Sequence, residues 1–468
     1  MTTQPTAMEL LSQLAAAPGV GDLLPGATIP PAYHGDWMTQ APAGTALALA
    51  RPRDTAEVSA TLAACHRLRV PVVPQGGRTG LAGGATPVSG CVLLSLERMN
   101  RIEAVDAAGS TITVQAGATL QSVQEAARDA GLFFPLDLGA RGSCHVGGNL
   151  STNAGGNRVL RYGMARDLVL GLEAVTADGT VLSHLNTVLK DNTGFDMKQL
   201  FVGTEGTMGV IARAVLRLHP QPRSTQTALC ALPDYASVLR LLRLVREGIG
   251  PTLSAFELMW PDFYGLVTTR VAGLEPPLAH GAGAYVLVES LGVEPDEDAA
   301  RFERVLAMAM ENGVVGDAVI AQSGGETAKL WKVRDASGEL RSIFWPHVGF
   351  DVGIPTRSLG EFIEELTARL QQRWPQVRTV FFGHVGDSNV HIGVKVGDGE
   401  QPEAEIDDTV YRTVGDWRGS ISAEHGIGLL KRAHLHHSRS PQELALLRTL
   451  KTALDPHGIL NPGKVVPA

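Results

Sequence analysis

Gln75-Gly76-Gly77-Arg78-Thr79-Gly80-Leu81-Ala82-Gly83-Gly84 follows directly on the strand-like run Pro71-Val72-Val73-Pro74. Five glycines fall between positions 76 and 84. So little Cβ lets the backbone N–H groups of such a loop turn toward a phosphate. The loop contains no G-x-G-x-x-G, so the dinucleotide fingerprint of the doubly wound fold is absent. A second stretch of the same character runs from Gly142 through Ser143, Cys144, His145, Gly147, Gly148, Asn149, Ser151, Thr152 and Asn153 to Gly155, Gly156 and Asn157. Small residues, hydroxyls and amides at this density can wrap a dinucleotide. An irregular Ω-loop accounts for them equally well.

Outward from these loops, Met8 to Ala17 carries a helical pattern. Thr45 to Pro52 reads as a strand, and Asp54 stands as an N-cap with Glu57 three residues on, which starts a helix reaching Arg69. Cys91–Leu96, Ile102–Val105 and the strictly alternating Thr111–Gln115 read as strands, and Leu120–Ala130 as a helix ended by Gly131. Further strands are expected at Leu168–Ala177 and Val181–Leu182, turned by Asp178-Gly179. Beyond His219-Pro220-Gln221-Pro222 the glycine clusters stop. Helices are expected over Ser237–Glu247, Asp298–Asn312 and Leu359–Arg373, with a strand at Ala284–Glu289. This irregular alternation points to an α+β fold and not to a doubly wound parallel sheet.

The chain has 468 residues, 44% hydrophobic and 19% charged, an ordinary globular composition with room for two or three domains. A net charge of −8 lacks the basic surplus of a nucleic-acid binder. Cys65, Cys91, Cys144 and Cys230 include no C-x-x-C pair and are too sparse for a disulfide framework, which suits a reducing compartment. The first basic residue is Arg51, so neither a secretory signal nor a mitochondrial presequence is expected. No apolar run approaches a membrane span. The expected location is cytoplasmic, with peripheral attachment to the inner membrane as the alternative. Gly458 to Val465 nearly matches a P-loop, but Val465 replaces the magnesium-binding hydroxyl and too few residues follow to build the helix.

The first glycine loop resembles the pyrophosphate loop of the vanillyl-alcohol-oxidase (PCMH) type FAD fold, and the second resembles that fold's other flavin-contacting loop. Lys190-Asp191-Asn192-Thr193-Gly194-Phe195-Asp196 through Gly203-Thr204-Glu205-Gly206-Thr207-Met208-Gly209 is similar to the same region in the D-2-hydroxyglutarate and D-lactate dehydrogenase branch. So is the closing Leu460-Asn461-Pro462-Gly463-Lys464, and the resemblance runs from about residue 44 to the end. It implies noncovalent FAD. The residues it carries over are Pro74, Gly76, Gly77, Thr79 and Gly80 at the pyrophosphate. In the second loop they are Ser143, Gly148, Asn149, Thr152, Asn153 and Gly156. Glu205, Gly209 and Ile211 fall near the flavin or its adenine arm, and Asn461 near the ring. It also implies two α+β domains: an N-terminal extension over 1–40, an FAD domain over 41–222, a cap over 223–412, and a segment over 413–468 returning to the FAD domain.

Val380–His384 and Val390–Val394 read as strands around the turn-like Val385–Asn389, which sets His384 and His391 across from each other at a hairpin mouth. Two imidazoles so placed can share a metal, with Glu424 as a third ligand. On spacing alone, a pair of surface-turn histidines is the commoner outcome. The branch, however, carries G-H-x-G-D-G-N-x-H and S-x-E-H-G-I-G, which stand here as Gly383–His391 and Ser422–Gly428. The resemblance implies His384, His391 and Glu424 as ligands of a divalent ion, zinc first and Mn2+ or Fe2+ after it. His425 is then the general base, Arg334 the clamp on the substrate carboxylate, and Asn389 a further substrate contact. Three positions depart from the branch: Ser388 replaces a glycine, Gly349 a lysine that grips a distal carboxylate, and Gly338 a substrate threonine.

The expected function is metal-assisted oxidation of a D-2-hydroxy acid to the 2-oxo acid by hydride transfer to FAD, in a site between the two domains. Quinone, an electron-transfer flavoprotein and a cytochrome are the candidate acceptors. A homodimer is one outcome for an assembly the sequence leaves open. Two rivals stand: an FAD enzyme acting on another alcohol without a metal, and a flavin-carrying subunit of a larger complex.

Overall fold

The computed structural model describes residues 6–37 and 43–466. The chain divides into two compact units, one of Met1–Gly156, Gly163–Pro220 and Glu424–Ala468, the other of Asn157–Tyr162 and Gln221–Ala423. Both mix helices with sheets, the α+β class expected.

In the first unit Asp54 caps the helix Thr55–Leu68 by accepting the Glu57 amide at 2.9 Å. That helix buries Val58, Leu62 and Cys65 in a core shared with Leu14 of the helix Ala7–Ala15. The described part of the stretch expected as a separate extension therefore belongs to this unit. Ala48–Ala50 and Val72–Gln75 run parallel to Val92–Ser95, which lies between them, and Leu23–Pro25 completes a four-stranded sheet. A second sheet orders Ile102–Asp106, Thr111–Gln115, Val210–Arg217, Val169–Val175 and Val181–His184, all antiparallel.

Val72–Gln75 is an edge strand of its sheet, the place where Pro74, lacking an N–H, is tolerated. The returning chain covers that edge. The Val72 amide donates to Ile459 O at 2.7 Å, and Asn461 N donates to Val72 O at 2.8 Å. An open edge would be a template for pairing with another chain.

The second unit is built on one antiparallel sheet of seven strands, ordered Asp317–Ile320, Ser224–Leu232, Ala284–Gly292, Leu253–Met259, Arg378–Gly383, Asn389–Lys395 and Val348–Gly353. Its central strands are buried along their whole length, and Phe263, Tyr264, Leu330 and Val333 from flanking helices pack into its core. The boundary expected after residue 412 falls inside the helix Glu403–Asp416, which buries Ile406, Val410, Tyr411 and Val414 as one face. A helix packed on one continuous face stays in one unit, so the chain changes unit at Glu424 instead. Asn157–Tyr162, expected within the FAD domain, also belongs here, because the Arg161 guanidinium donates to the carbonyls of Thr252 and Leu291.

Lys464, the lysine of the P-loop-like ending, meets no phosphate-binding loop. Its ammonium donates to Thr86 O and Asn461 Oδ1, each at 2.6 Å. Burial pushes its pKa down to about 8, against the opposing pull of Cys91, Asp36 and Glu205. An unfolded lysine titrates near 10.5, so between these values the unfolded chain holds a proton that the folded chain has released. Stability then rises with pH across that window. Lys464→Met should remove this rise: the wild type gains melting temperature on the variant from pH 8 to 10, while below pH 8 their difference stays constant. Thermal unfolding across pH checks it, and parallel profiles would show the inference wrong.

Candidate active site

In the first unit the two glycine loops enclose a cavity of about 420 Å³, within the range of small-molecule and cofactor sites. The loops meet backbone to backbone. A Cβ on Gly77 would lie 1.9 Å from Ser143 O, closer than any side chain can come. Pro74, Gly76, Gly77, Thr79, Gly80, Gly148, Asn149, Thr152, Glu205, Gly209 and Ile211, all carried over by the resemblance, line this cavity. Around it, Gln75 Oε1, His145 Nδ1 and Asn149 Nδ2 are buried without a hydrogen bond among the described residues. Buried polar atoms left this way in a Cβ-poor cradle fit a polar ligand with phosphate groups. The cavity suits FAD on this ground.

Four expected cofactor residues do not line the cavity and are used instead to build its walls. Ser143 supplies the carbonyl against Gly77. Asn153 accepts the Arg166 amide at 2.9 Å. Gly156 donates its amide to Glu424 Oε1 at 2.9 Å. The buried Asn461 donates through Nδ2 to Gly84 O at 3.1 Å and Glu205 O at 2.7 Å. Glu205 is itself committed, accepting the amides of Ile427 at 2.7 Å and Gly428 at 2.9 Å. Its burial pushes the carboxyl pKa up against those two donors. Glu424 and His425 also line the cavity. His145 is held below the usual imidazole pKa by burial and then by Arg78.

The second unit carries the remaining candidates. The His384 and His391 rings lie 5.5 Å apart, centroid to centroid, across the hairpin mouth. The intervening turn needs a left-handed residue, and Ser388 takes that role at φ 76° with its hydroxyl 2.8 Å from that of Thr356. Asn389 is 4% exposed, and neither atom of its amide has a hydrogen-bond partner among the described residues. Arg334, near the end of the helix Gly324–Asp335, is buried. Its Nε donates to Glu257 Oε2 at 2.8 Å, and its Nη2 lies 3.0 Å from His384 Nε2.

Three residues here escaped the sequence reading. Glu257 sits at the centre of the Arg334 and His384 contacts, its Oε1 2.6 Å from His384 Nδ1. Burial works against its ionisation, but His384 and Arg334 outweigh that and hold its pKa down to about 2. Asp351, fully buried, lies 3.9 Å from His391 Nδ1 and accepts the Ala423 amide at 3.2 Å. In both cases the available signal was one acid inside an otherwise apolar strand. Arg78, in the first loop, lines the cavity and stacks over Tyr33 at 4.3 Å.

The FAD-binding domain family matches residues 46–184, and the C-terminal domain family of FAD-linked oxidases matches residues 221–465. The chain belongs to the FAD-linked oxidase family. Within it, the chain falls in the D-2-hydroxyglutarate and D-lactate dehydrogenase branch. It is 39% identical over 447 residues to D-2-hydroxyglutarate dehydrogenase of Xanthomonas citri pv. viticola, covering 92% of each chain. It is 40% identical over 434 residues to a probable mitochondrial D-2-hydroxyglutarate dehydrogenase of Oryza sativa subsp. japonica, covering 92% of this chain and 77% of that one. A putative mitochondrial D-lactate dehydrogenase of Schizosaccharomyces pombe is 38% identical over 445 residues, covering 93% of this chain and 84% of that one. Among solved structures, p-cresol methylhydroxylase superposes with a TM-score of 0.78 at 16% identity, covering 98% of this chain and 96% of that one. That likeness establishes the PCMH-type fold. No described helix is long and apolar enough to cross a membrane.

Gly77→Ala should drive the two loops apart and empty the cavity of cofactor, because a Cβ cannot share space with Ser143 O. The flavin absorbance per chain of the purified variant checks this. Wild-type occupancy would contradict the close approach.

Proposed function

We propose that this chain oxidises a D-2-hydroxy acid to the 2-oxo acid, with noncovalent FAD and a divalent cation, zinc first. The observation that carries the reading is the grouping of two imidazoles and a buried arginine: His384 and His391 lie 5.5 Å apart, with Arg334 Nη2 3.0 Å from His384. A cation for a carboxylate thus stands beside a pair of imidazoles, in a chain whose other unit is an FAD-binding domain. Noncovalent binding is supported by the state of the two candidate attachment residues. Burial pushes the Cys144 thiol pKa up, which leaves little thiolate to react, and the buried Nδ1 of His145 has no hydrogen-bond partner among the described residues to activate it.

FAD, when bound, supplies the acceptor for the hydride of the carbinol carbon. Pro74, Gly76, Gly77, Thr79, Gly80, Gly148, Asn149 and Thr152 would hold it. A divalent cation on His391 and Glu424, joined by His384 once its Nε2 is released from Arg334, would supply a Lewis acid that lowers the pKa of the substrate hydroxyl. The chain's own side chains do the rest. Arg334 presents Nη1, whose single contact among the described residues is a long one to Ser337 Oγ at 3.5 Å, to the substrate carboxylate. Asn389 offers its unpartnered amide to the same molecule. His425 accepts the hydroxyl proton, a task suited to an imidazole near neutral pH.

The tail of the substrate meets two positions, Gly349 and Gly338, that carry no charged side chain. A Cβ on Gly349 or Gly338 would have nothing within 4 Å, so both positions are open and neither offers a donor. Gly349 pairs in register with Gly393, and His347 lies beside Gly393. His347 is no replacement cation, since burial and then Arg341 and Lys395 lower its pKa. The Lys395 ammonium is already bonded to Trp345 O at 2.8 Å and Asp398 at 2.7 Å. A distal carboxylate desolvated here without a partner costs on the order of several kcal/mol, enough to shift selectivity by orders of magnitude.

His384→Ala or His391→Ala is expected to remove the bound metal and most turnover while flavin absorbance per chain stays at the wild-type value. Metal analysis and a dye-linked assay on the same samples decide it. A metal-free variant with full activity would leave the metal-independent alcohol oxidation as the better reading. On substrate choice, kcat/KM for D-lactate or a bulkier uncharged D-2-hydroxy acid should exceed that for D-2-hydroxyglutarate with one dye acceptor. Gly349→Lys should move the ratio toward the diacid. A wild-type preference for the diacid would show that a cation other than those above serves the tail.

A further inference from the structure

We propose that an open groove on the second unit, lined by Arg243, Arg246 and Arg357, binds a small dianion of the phosphate type, and that the bound anion steadies the turn between His384 and Asn389. The proposal does not rest on the reaction above, since none of the three arginines is among the residues assigned to the cofactor, the cation or the substrate.

The groove follows from spacing on one helix. Leu239, Leu242, Arg243 and Arg246 stand at i, i+3, i+4 and i+7 of the helix Tyr235–Ile249, so they share one face. The short 3₁₀ helix Thr356–Ser358 supplies the other wall, tied to the first by the Tyr235 hydroxyl, which donates to Thr356 O at 2.6 Å. Together they enclose about 370 Å³, the size of a small-ligand site.

Charge decides what belongs in it. The lining holds three arginines and one acid, Glu247, so it carries a net charge of +2 in a chain whose overall charge is −8. Arg243 and Glu247 pair at 2.8 Å with both side chains more than half exposed, a contact that water screens. Arg246 and Arg357 have no carboxylate partner among the described residues. One dianion would neutralise the pair. Guanidinium forks bond two oxygens of an anion at once. Forks arriving from two walls suit a tetrahedral anion, with oxygens on every side, better than a planar carboxylate. Leu239 and Leu242 add an apolar floor, on which the rest of a phosphate monoester can lie.

The same residues hold the turn. Arg246 Nη2 donates to Gly386 O at 2.8 Å. Thr356 Oγ1 donates to Val385 O at 3.1 Å and lies 2.8 Å from the Ser388 hydroxyl. A guanidinium has five N–H groups, so Arg246 can bond Gly386 and an anion together. An anion that fixes Arg246 therefore fixes its grip on the turn.

The test is calorimetric titration of the flavin-loaded protein with inorganic phosphate and, separately, with phenyl phosphate. Ionic strength is held constant with sodium chloride at about pH 8, where phosphate is largely a dianion. One saturable site is expected, its affinity falling about tenfold or more in Arg357→Gln and in Arg246→Gln. Tighter binding of phenyl phosphate assigns the site to an ester, and equal affinity to free phosphate. Arg357→Gln should keep the wild-type flavin content and melting temperature in chloride. Hydrogen exchange reads the coupling. Phosphate should slow exchange at the amides of Asp387 and Ser388, which close the turn on His384 O and Val385 O, in the wild type but not in Arg246→Gln. An anion seated at Arg334 instead would bind both variants as it binds the wild type. That result, or no saturable binding of either probe, overturns the site. Anion binding that leaves exchange in the turn unchanged overturns the coupling.

Discussion

The first unit depends on one amide. Asn461 reaches Gly84 and Glu205 through Nδ2, Lys464 through Oδ1 and the edge strand at Val72 through its backbone N–H. Those bonds join the end of the chain to the first glycine loop and to the loop that carries Glu205. Glu205 then extends the tie by accepting the amides of Ile427 and Gly428. Asn461, Glu205 and Lys464 are buried, so removing one leaves polar atoms of the others short of a partner, and an unmade buried hydrogen bond costs roughly 1–3 kcal/mol. A glycine loop has little side-chain packing of its own to fix its shape. Its geometry has to be imposed from outside, and this network imposes it.

The second unit solves a related problem with charge. Its central strands are buried along their whole length, so an acid in one of them has no water to turn to. Glu257 is answered by Arg334 and His384, and Glu289 by the Trp331 indole at 2.7 Å and the Ser254 hydroxyl at 3.2 Å. Desolvating a carboxylate is expensive, and only well-formed partners offset it. Acids retained at that cost are candidates for function, because apolar residues would fill the same space more stably. The neighbourhood of Glu257, with its histidine, arginine and unpartnered Asn389 nearby in the same unit, bears that out better than Glu289, whose partners merely satisfy it.

Local chemistry was legible in the sequence to a useful depth. Asp54 capped the helix it was expected to cap, Thr111–Gln115 formed the strand its alternation predicts, and Leu359–Arg373 formed its helix at the expected bounds. These features are set within a few residues by hydrogen-bond geometry and side-chain periodicity, so neighbours in sequence suffice. The two glycine clusters were legible as loops short of Cβ atoms for the same reason, while the family resemblance was needed to read them as ligand loops. Where the chain changes unit was less legible. Ile406 and Val414 lie on one buried face of Glu403–Asp416, and a polar-to-apolar pattern does not say which core that face joins.

The sequence by itself determined that Gly76 to Gly84 and Gly142 to Gly156 are short of Cβ atoms, and that His384 and His391 flank a turn. Both are statements about residues close together along the chain. Only the tertiary structure decided that Gly77 presses on the Ser143 carbonyl, that Asn461 is spent on holding loops, and that Glu257 lies between Arg334 and His384. Those pairs are separated by tens to hundreds of residues, and what joins them is the burial of each polar atom beside the one partner that can satisfy it. A lone acid in an apolar strand announces that a partner must exist, and the fold alone chooses which.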